Sequence, residues 1–264
     1  MDNLITFCIP SVRGELYALP VIKNLLRYKK LFFFDLILIC NGWAPSHETS
    51  DFLNENSVSY RISSNILDID TSHCYAISTV NSKYVYLVGD DDFLTYEEMQ
   101  YLSKIIFNDF DLVVFDVNSK INKVSIFKDF NSVFPVIHNK CTLGNILVKH
   151  SLYNCLDKSF QDTAHWYTSF FGNLIGKQKI SCAIVSISVN NPLAVKIKKT
   201  YLKKIVEIYL INIPKWYKLL ICKSDEVHMI DSSIIIKKML YKYYLSLFSF
   251  RFLFFLISLI INRR

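Results

Sequence analysis

Three consecutive carboxylates, Asp90, Asp91 and Asp92, follow Gly89 at the end of a short aromatic and β-branched run, Tyr84–Val88. Such a run has the composition of a buried strand. Adjacent anions repel one another, so a folded chain that gathers three of them at the mouth of a core strand needs a counter-charge. Hard carboxylate oxygens suit Mg2+ or Mn2+, and open α/β sheets bind ligands at the carboxyl ends of their strands. The plainer alternative is a solvated acidic turn.

The glycines narrow the chemistry. All six (Gly14, Gly42, Gly89, Gly144, Gly172 and Gly176) stand alone, and none forms G-x-G-x-x-G or a P-loop. A diphosphate handled by this chain is therefore met by a metal and side chains, not by a Gly-rich backbone nest. Counted from Asp90, an EF-hand loop requires Gly at the sixth position and Glu at the twelfth, where Thr95 and Tyr101 stand. A phosphatase-type acidic pair follows the first strand of its sheet; these carboxylates follow the fourth.

The elements that must position them can be traced along the chain. Leu4–Ile9 is an apolar strand stopping at Pro10 and Ser11. A helical pattern follows, with Leu16, Leu19, Ile22, Leu25 and Leu26 on one face. Pro20 is tolerated only near a first turn, which predicts a helix start at 17–19. Phe32–Cys40 is a near-continuous apolar run, as expected of a strand covered on both faces of a parallel sheet. His47–Asn56 reads as a helix, Val58–Ile62 as a strand and Asp70–Val80 as a helix, before the strand at Tyr84. Thr95–Phe107 is a further helix with Thr95 as its N-cap, and Asp111–Val117 a fifth strand. Residues 118–140 are polar, either a β-hairpin insertion or a mobile loop. This β-α-β-α-β-α-β order predicts a mostly parallel, doubly wound α/β sheet.

Thr6–Ser11 (TFCIPS), Asp35–Gly42 (DLILICNG) and Tyr84–Asp92 (YVYLVGDDD), in this order and at these separations, resemble the family-2 glycosyltransferases with the GT-A fold, of the bacterial surface-polysaccharide type. The resemblance covers residues 4–117 well and 140–190 loosely. It implies a GT-A domain over 1–194, with a nucleotide-sugar half (1–117) and an acceptor half (118–194). By the same resemblance, Pro10, Ser11 and Asn41 line a base pocket and Arg61 approaches the base or phosphates. Asp90 and Asp91 belong to the donor site, with Asp90 facing the ribose or the metal and Asp92 the metal, Mn2+ or Mg2+. The family commonly has Asp where Cys40 or Asn41 stands, and Asn41 can hydrogen-bond a base in either orientation. Ser72 and His73 stand where the family often has an Asn-containing stretch.

On the acceptor side, Thr142–Val148 resembles a site-shaping strand or turn, and Asp162 opens an apolar helix three residues before His165. The family uses a carboxylate in this region as a general base, which makes Asp162 the catalytic candidate; the alternative is a helix cap. His165 and Trp166 are acceptor-side candidates against ordinary packing roles. The implied activity is inverting sugar transfer from a nucleoside-diphosphate sugar to a glycan or lipid-linked oligosaccharide acceptor.

The charge is unevenly spread. Of the 264 residues, 195–264 carry 14 Lys and Arg against 4 Asp and Glu, while 1–194 carry 16 against 19. The basic excess thus belongs to the tail, where Lys237, Lys238, Lys242 and Arg251 stud an aromatic and aliphatic stretch. Phe252–Ile261 alone is too short to span a bilayer. An amphipathic, helical, membrane-associating appendage is expected, lying at the surface among anionic headgroups, with a helical subdomain packed on the sheet as the alternative. The seven scattered Cys include no C-x-x-C pair and read as buried free thiols. With no basic-then-apolar leader at the start, this places the protein in the cytoplasm, peripheral on the inner face of the membrane. Two rival readings remain: a sugar-nucleotide pyrophosphorylase-like enzyme, which calls for a Gly-rich loop after strand one, and a nucleic-acid-binding protein using the tail, which the acidic body disfavours. No nucleic-acid partner is expected.

Overall fold

A computed structural model describes residues 4–67, 69–116, 118–128, 145–155 and 180–188. The candidates Asp162, His165 and Trp166, the segment 142–144 and the tail 195–264 lie outside the described residues. The strands are β1 (Ile5–Ser11), β2 (Asp35–Asn41), β3 (Ser59–Ser63), β4 (Tyr84–Leu87), β5 (Leu112–Asp116), β6 (Asn118–Phe127), β7 (Ile146–Lys149) and β8 (Cys182–Ser188). The α-helices are α1 (Glu15–Leu26), α2 (His47–Glu55), α3 (Ile69–Ser78) and α4 (Tyr96–Ile105).

Among the described residues the strands form one sheet in the order β3-β2-β1-β4-β7-β5-β8-β6. β1 pairs in parallel with β2 and β4, β2 with β3, and β5 with β8. The pairings of β7 with β4 and β5, and of β6 with β8, are antiparallel. The half that carries Asp90 is therefore wholly parallel, as its two-sided apolar strands require.

Alternation along β1 divides the core. Ile5, Phe7 and Ile9 share one cluster with Ala18, Val21, Ile22 and Leu25 of α1 and Met99 and Leu102 of α4. Phe7 meets Phe34 edge to face and Tyr86 at a tilt, with ring centroids 4.9 and 5.2 Å apart. Cys8, pointing to the other face, lies against α3, its Sγ 3.9 Å from Ala76 O. Helices thus cover both faces around β1, the doubly wound arrangement expected.

One expectation changes, and two strands fill in what the sequence left open. α1 begins at Glu15, ahead of the predicted 17–19, and Pro20 sits inside it. Pro20 lacks the N–H that would bond to Leu16 O, and Leu16 is 84% exposed, so water can satisfy that carbonyl. The polar segment after β5 contains β6, a strand on the sheet's edge; its half-polar composition fits a strand paired on one side only. β8, an apolar run in the least patterned part of the chain, is the strand that β6 and β5 both require as a partner.

At the sheet end opposite the three aspartates, Asp111 fastens the irregular half. Its carboxylate accepts from Ser181 N and Oγ, both at 2.9 Å, and pairs with Lys149 Nζ at 3.0 Å. Lys149 and Lys83 also meet Asp109. One side chain thereby ties the start of β5 to the end of β7 and the approach to β8. Asp111→Ala is expected to cost about 1–3 kcal/mol, since partly buried donors lose their acceptor, read as a lower urea midpoint at unchanged m-value.

Candidate functional site

The site begins with a missing hydrogen bond. Cys8 O accepts from Val88 N at 2.9 Å, so the backbone of Cys8 faces β4. Pro10, two residues on, faces the same way and has no N–H to offer. The β1–β4 ladder accordingly ends at Cys8 and Leu87, and beyond it the two strands part. In the order β3-β2-β1-β4, this is where chain direction across the sheet reverses, the place where open α/β sheets hold ligands.

Side chains bridge the parted ends. Ser11 Oγ donates to Asp90 Oδ2 at 2.6 Å. Arg13 donates from Nε to Asp90 Oδ1 at 2.9 Å, again to Asp90 from its terminal nitrogen, and to Asp91 Oδ2 at 3.0 Å. Asp90 is almost fully buried, whereas the side chains of Arg13 and Asp91 keep 36% and 31% of their surface exposed. Burial works against the Arg13 charge, but the bonds to Asp90 and Asp91 outweigh it and raise the guanidinium above its ordinary pKa. The Arg13 guanidinium carbon also lies 4.6 Å from the Tyr17 ring centroid.

Asp92 turns the other way. Its Oδ2 accepts from Gly89 N, and its own N–H donates to Gly89 O, both at 3.1 Å. A Cβ on Gly89 would stand 2.6 Å from that same Oδ2, so a larger residue there would displace the Asp92 carboxylate from this position. Burial, then the charge of Asp91, push the Asp92 carboxyl up to about 7. The loop is clamped from α1 and the turn after it: Asn24 Oδ1 accepts from Leu94 N at 3.1 Å and Tyr28 donates to Leu94 O at 3.1 Å. Thr95 then starts α4 through a capping box with Glu98, at the predicted N-cap.

The second wall comes from β2. Asn41 is buried, with Nδ2 donating to Leu67 O at 2.9 Å and Oδ1 accepting from Leu67 N at 2.7 Å. Its amide thus holds the 64–67 loop through one donor and one acceptor bond. At Gly42, φ is +79° and a Cβ would lie 2.4 Å from Ile66 Cγ1, so the same loop packs closely over the end of β2. Trp43 Nε1 donates to Ser11 O at 2.7 Å and ties this wall to β1.

The structure therefore brings Ser11, Asp90 and Asp91 together, with Pro10 shaping the opening and Asp92 beside them. Arg61 stands apart: it is exposed on the edge strand β3, its guanidinium 3.4 Å from Tyr60 O. Arg13 and Trp43 were not anticipated. Arg13 is a lone cation just past β1 and becomes the obvious counter-charge once β1 and β4 are known to be neighbours.

Arg13 supplies one positive charge against Asp90 and Asp91, part of the counter-charge expected of a divalent cation. Among the described residues no three of His, Cys, Asp and Glu form a set that could hold a metal ion. The donors nevertheless fit one. Asp90 and Asp91 offer hard oxygens to a cation already standing on them, and Mg2+ or Mn2+ needs only one or two carboxylates when phosphates supply other ligands.

Asp92 has a sign that can be checked. A carboxyl raised in the folded state destabilises the fold when it ionises, so stability falls as pH climbs from its ordinary 3.8 through about 7. Asp92→Asn, which can still accept from Gly89 N, is expected to gain in melting temperature relative to the parent at pH 8 and to show little difference near pH 4. Thermal melts with a chelator present measure this.

No protein-family model and no curated protein matches the sequence. Among solved structures the chain is similar to S. aureus TarS. The crystal structure of TarS 1-349 in complex with UDP superposes with a TM-score of 0.52 at 10% identity, over 70% of this chain and 60% of that one. TarS 1-349 in complex with UDP-GlcNAc gives 0.53 at 12%, over 93% and 73%. A further TarS structure gives 0.55 at 11%, over 93% and 44%. The chain thus spans about 60% of the length of the first of these. Among the described residues no helix is long and apolar enough to cross a membrane. What the likeness establishes is the fold: a mixed α/β domain with a mostly parallel sheet of the GT-A type.

Proposed function

We propose that this chain is an inverting glycosyltransferase that moves a sugar from a nucleoside-diphosphate sugar to a hydroxyl of a glycan or lipid-linked oligosaccharide, in bacterial surface-polysaccharide assembly. The observation that carries the reading is the corner where the β1–β4 ladder ends, with Ser11, Arg13, Asp90 and Asp91 joined across it and Trp43 held to Ser11. In support, TarS has been solved on the same fold with UDP and with UDP-GlcNAc.

The chemistry follows from charge. Breaking the bond to the sugar leaves negative charge on the departing nucleoside diphosphate, and a cation held there stabilises it. Mn2+ or Mg2+, which the resemblance gave to Asp90 and Asp92, would be held by Asp90 and Asp91, because Asp92 is turned onto Gly89 N, and would supply that stabilisation when bound. The chain's own residues set the stage. Asn41 and Trp43 hold the β2 wall rigid, and Asn24 and Tyr28 fix the acidic loop from behind, so little reorganisation accompanies the reaction. Asp162 is assigned the general base that takes the acceptor's proton, a role worth about 10²–10⁴ in rate. The basic, aromatic stretch 195–264 is assigned to an anionic membrane surface, where a lipid-linked acceptor resides.

The test is release of nucleoside diphosphate from a panel of sugar nucleotides, UDP-GlcNAc among them, with Mn2+. Asp90→Asn is expected to lose about 10²-fold or more in turnover, as befits removal of several kcal/mol of charge stabilisation, at unchanged far-UV circular dichroism. Failure of every sugar nucleotide in the panel to bind or turn over overturns the proposal.

A further inference from the structure

Arg13 presents a puzzle of charge. It spends Nε and both terminal nitrogens on Asp90 and Asp91, yet the two carboxylates exceed it by one negative charge, with Asp92 adjacent. A diphosphate approaching this corner meets net repulsion. The Asp90 carboxylate is also buried and already accepts from Ser11, so it cannot swing out to find another partner without losing that bond. A cation that takes Asp90 Oδ1 and Asp91 Oδ2 together takes the position of the guanidinium.

We propose that Arg13 is a resident counter-cation that competes with a divalent ion for Asp90 and Asp91. Without the ion, the guanidinium holds the β1 and β4 loops together across the gap opened at Pro10. An arriving ion displaces it from the carboxylates. The competition makes binding of the ion alone weak, because charge-assisted guanidinium bonds must be broken first. A nucleoside diphosphate tips the balance twice over: its phosphate oxygens add ligands to the ion, and they offer the displaced guanidinium a new anionic partner of the fork geometry it favours. The ion and the donor therefore arrive together. The side chain has the freedom for this exchange: it is 36% exposed and rests on the Tyr17 ring, not in the core.

This rests on the proposed function for its donor but not for its first test, which needs only the metal. Mn2+ is titrated into the full-length chain and the unbound ion followed by its electron paramagnetic resonance signal. The competition predicts that Arg13→Gln binds Mn2+ at least about tenfold more tightly than the parent, the equivalent of losing one charge-assisted hydrogen bond. Arg13→Lys, a point charge that cannot fork across two carboxylates, is expected in between. Thermal melts identify a Gln variant that fails to fold, in which case the Lys variant decides by the same direction of change. Unchanged or weaker Mn2+ binding in the folded Gln variant overturns the inference, and so does an Arg13→Lys variant that binds Mn2+ as weakly as the parent, since charge repulsion without displacement tightens binding only when the charge is removed. Sugar-nucleotide turnover by the parent is measured separately, so loss of the proposed function and loss of the competition give different results.

Discussion

The structure is organised around a gap that is held shut by charge. Pro10 withholds the backbone hydrogen bond that would have continued β1 alongside β4, and Asp90 lies just beyond the point where the strands part. Left alone, two parting strands with acidic residues at the tip would be a weak corner. Ser11 and Arg13 turn it into a joined one, each reaching about eighty positions along the chain to the same carboxylate. A corner built this way is joined by side chains where the backbone ladder has ended.

Everything near that corner restrains the groups on either side of it. Leu94 is grasped at its backbone N–H by Asn24 of α1 and at its carbonyl by Tyr28 just past that helix. Asn41 does the same to Leu67, completing both of its own hydrogen-bonding needs with one residue of the neighbouring loop. These are buried or half-buried polar contacts. Their benefit lies in the cost of leaving such groups unsatisfied, more than in net attraction. They fix loops that hydrophobic burial alone would leave free to slide.

The far end of the sheet uses the same device for another purpose. Asp111, Lys149 and Ser181 close the antiparallel and crossed half, where β7 enters between β4 and β5. That insertion reverses direction within the sheet, so backbone pairing alone does not select the order. A partly buried ion pair at a strand end supplies a positional marker, in the way buried polar groups specify register elsewhere.

The amino-acid sequence by itself determined what depends on neighbours along the chain. The alternation and apolar runs of β1, β2 and β4, the capping residues of α4 and the acidic tip after Gly89 are all local patterns, and each is found where those patterns put it. The class of sheet followed from their order. Tertiary structure decided what depends on neighbours across the sheet: that Arg13 is the cation on Asp90 and Asp91, that Asn41 secures a loop, that Pro20 can sit inside α1 because Leu16 faces water, and that β8 is the partner of β5 and β6. The reason is physical. Hydrophobic periodicity reports which side of an element is buried, but an ion pair between residues 77 apart exists only once parallel pairing has brought β1 beside β4.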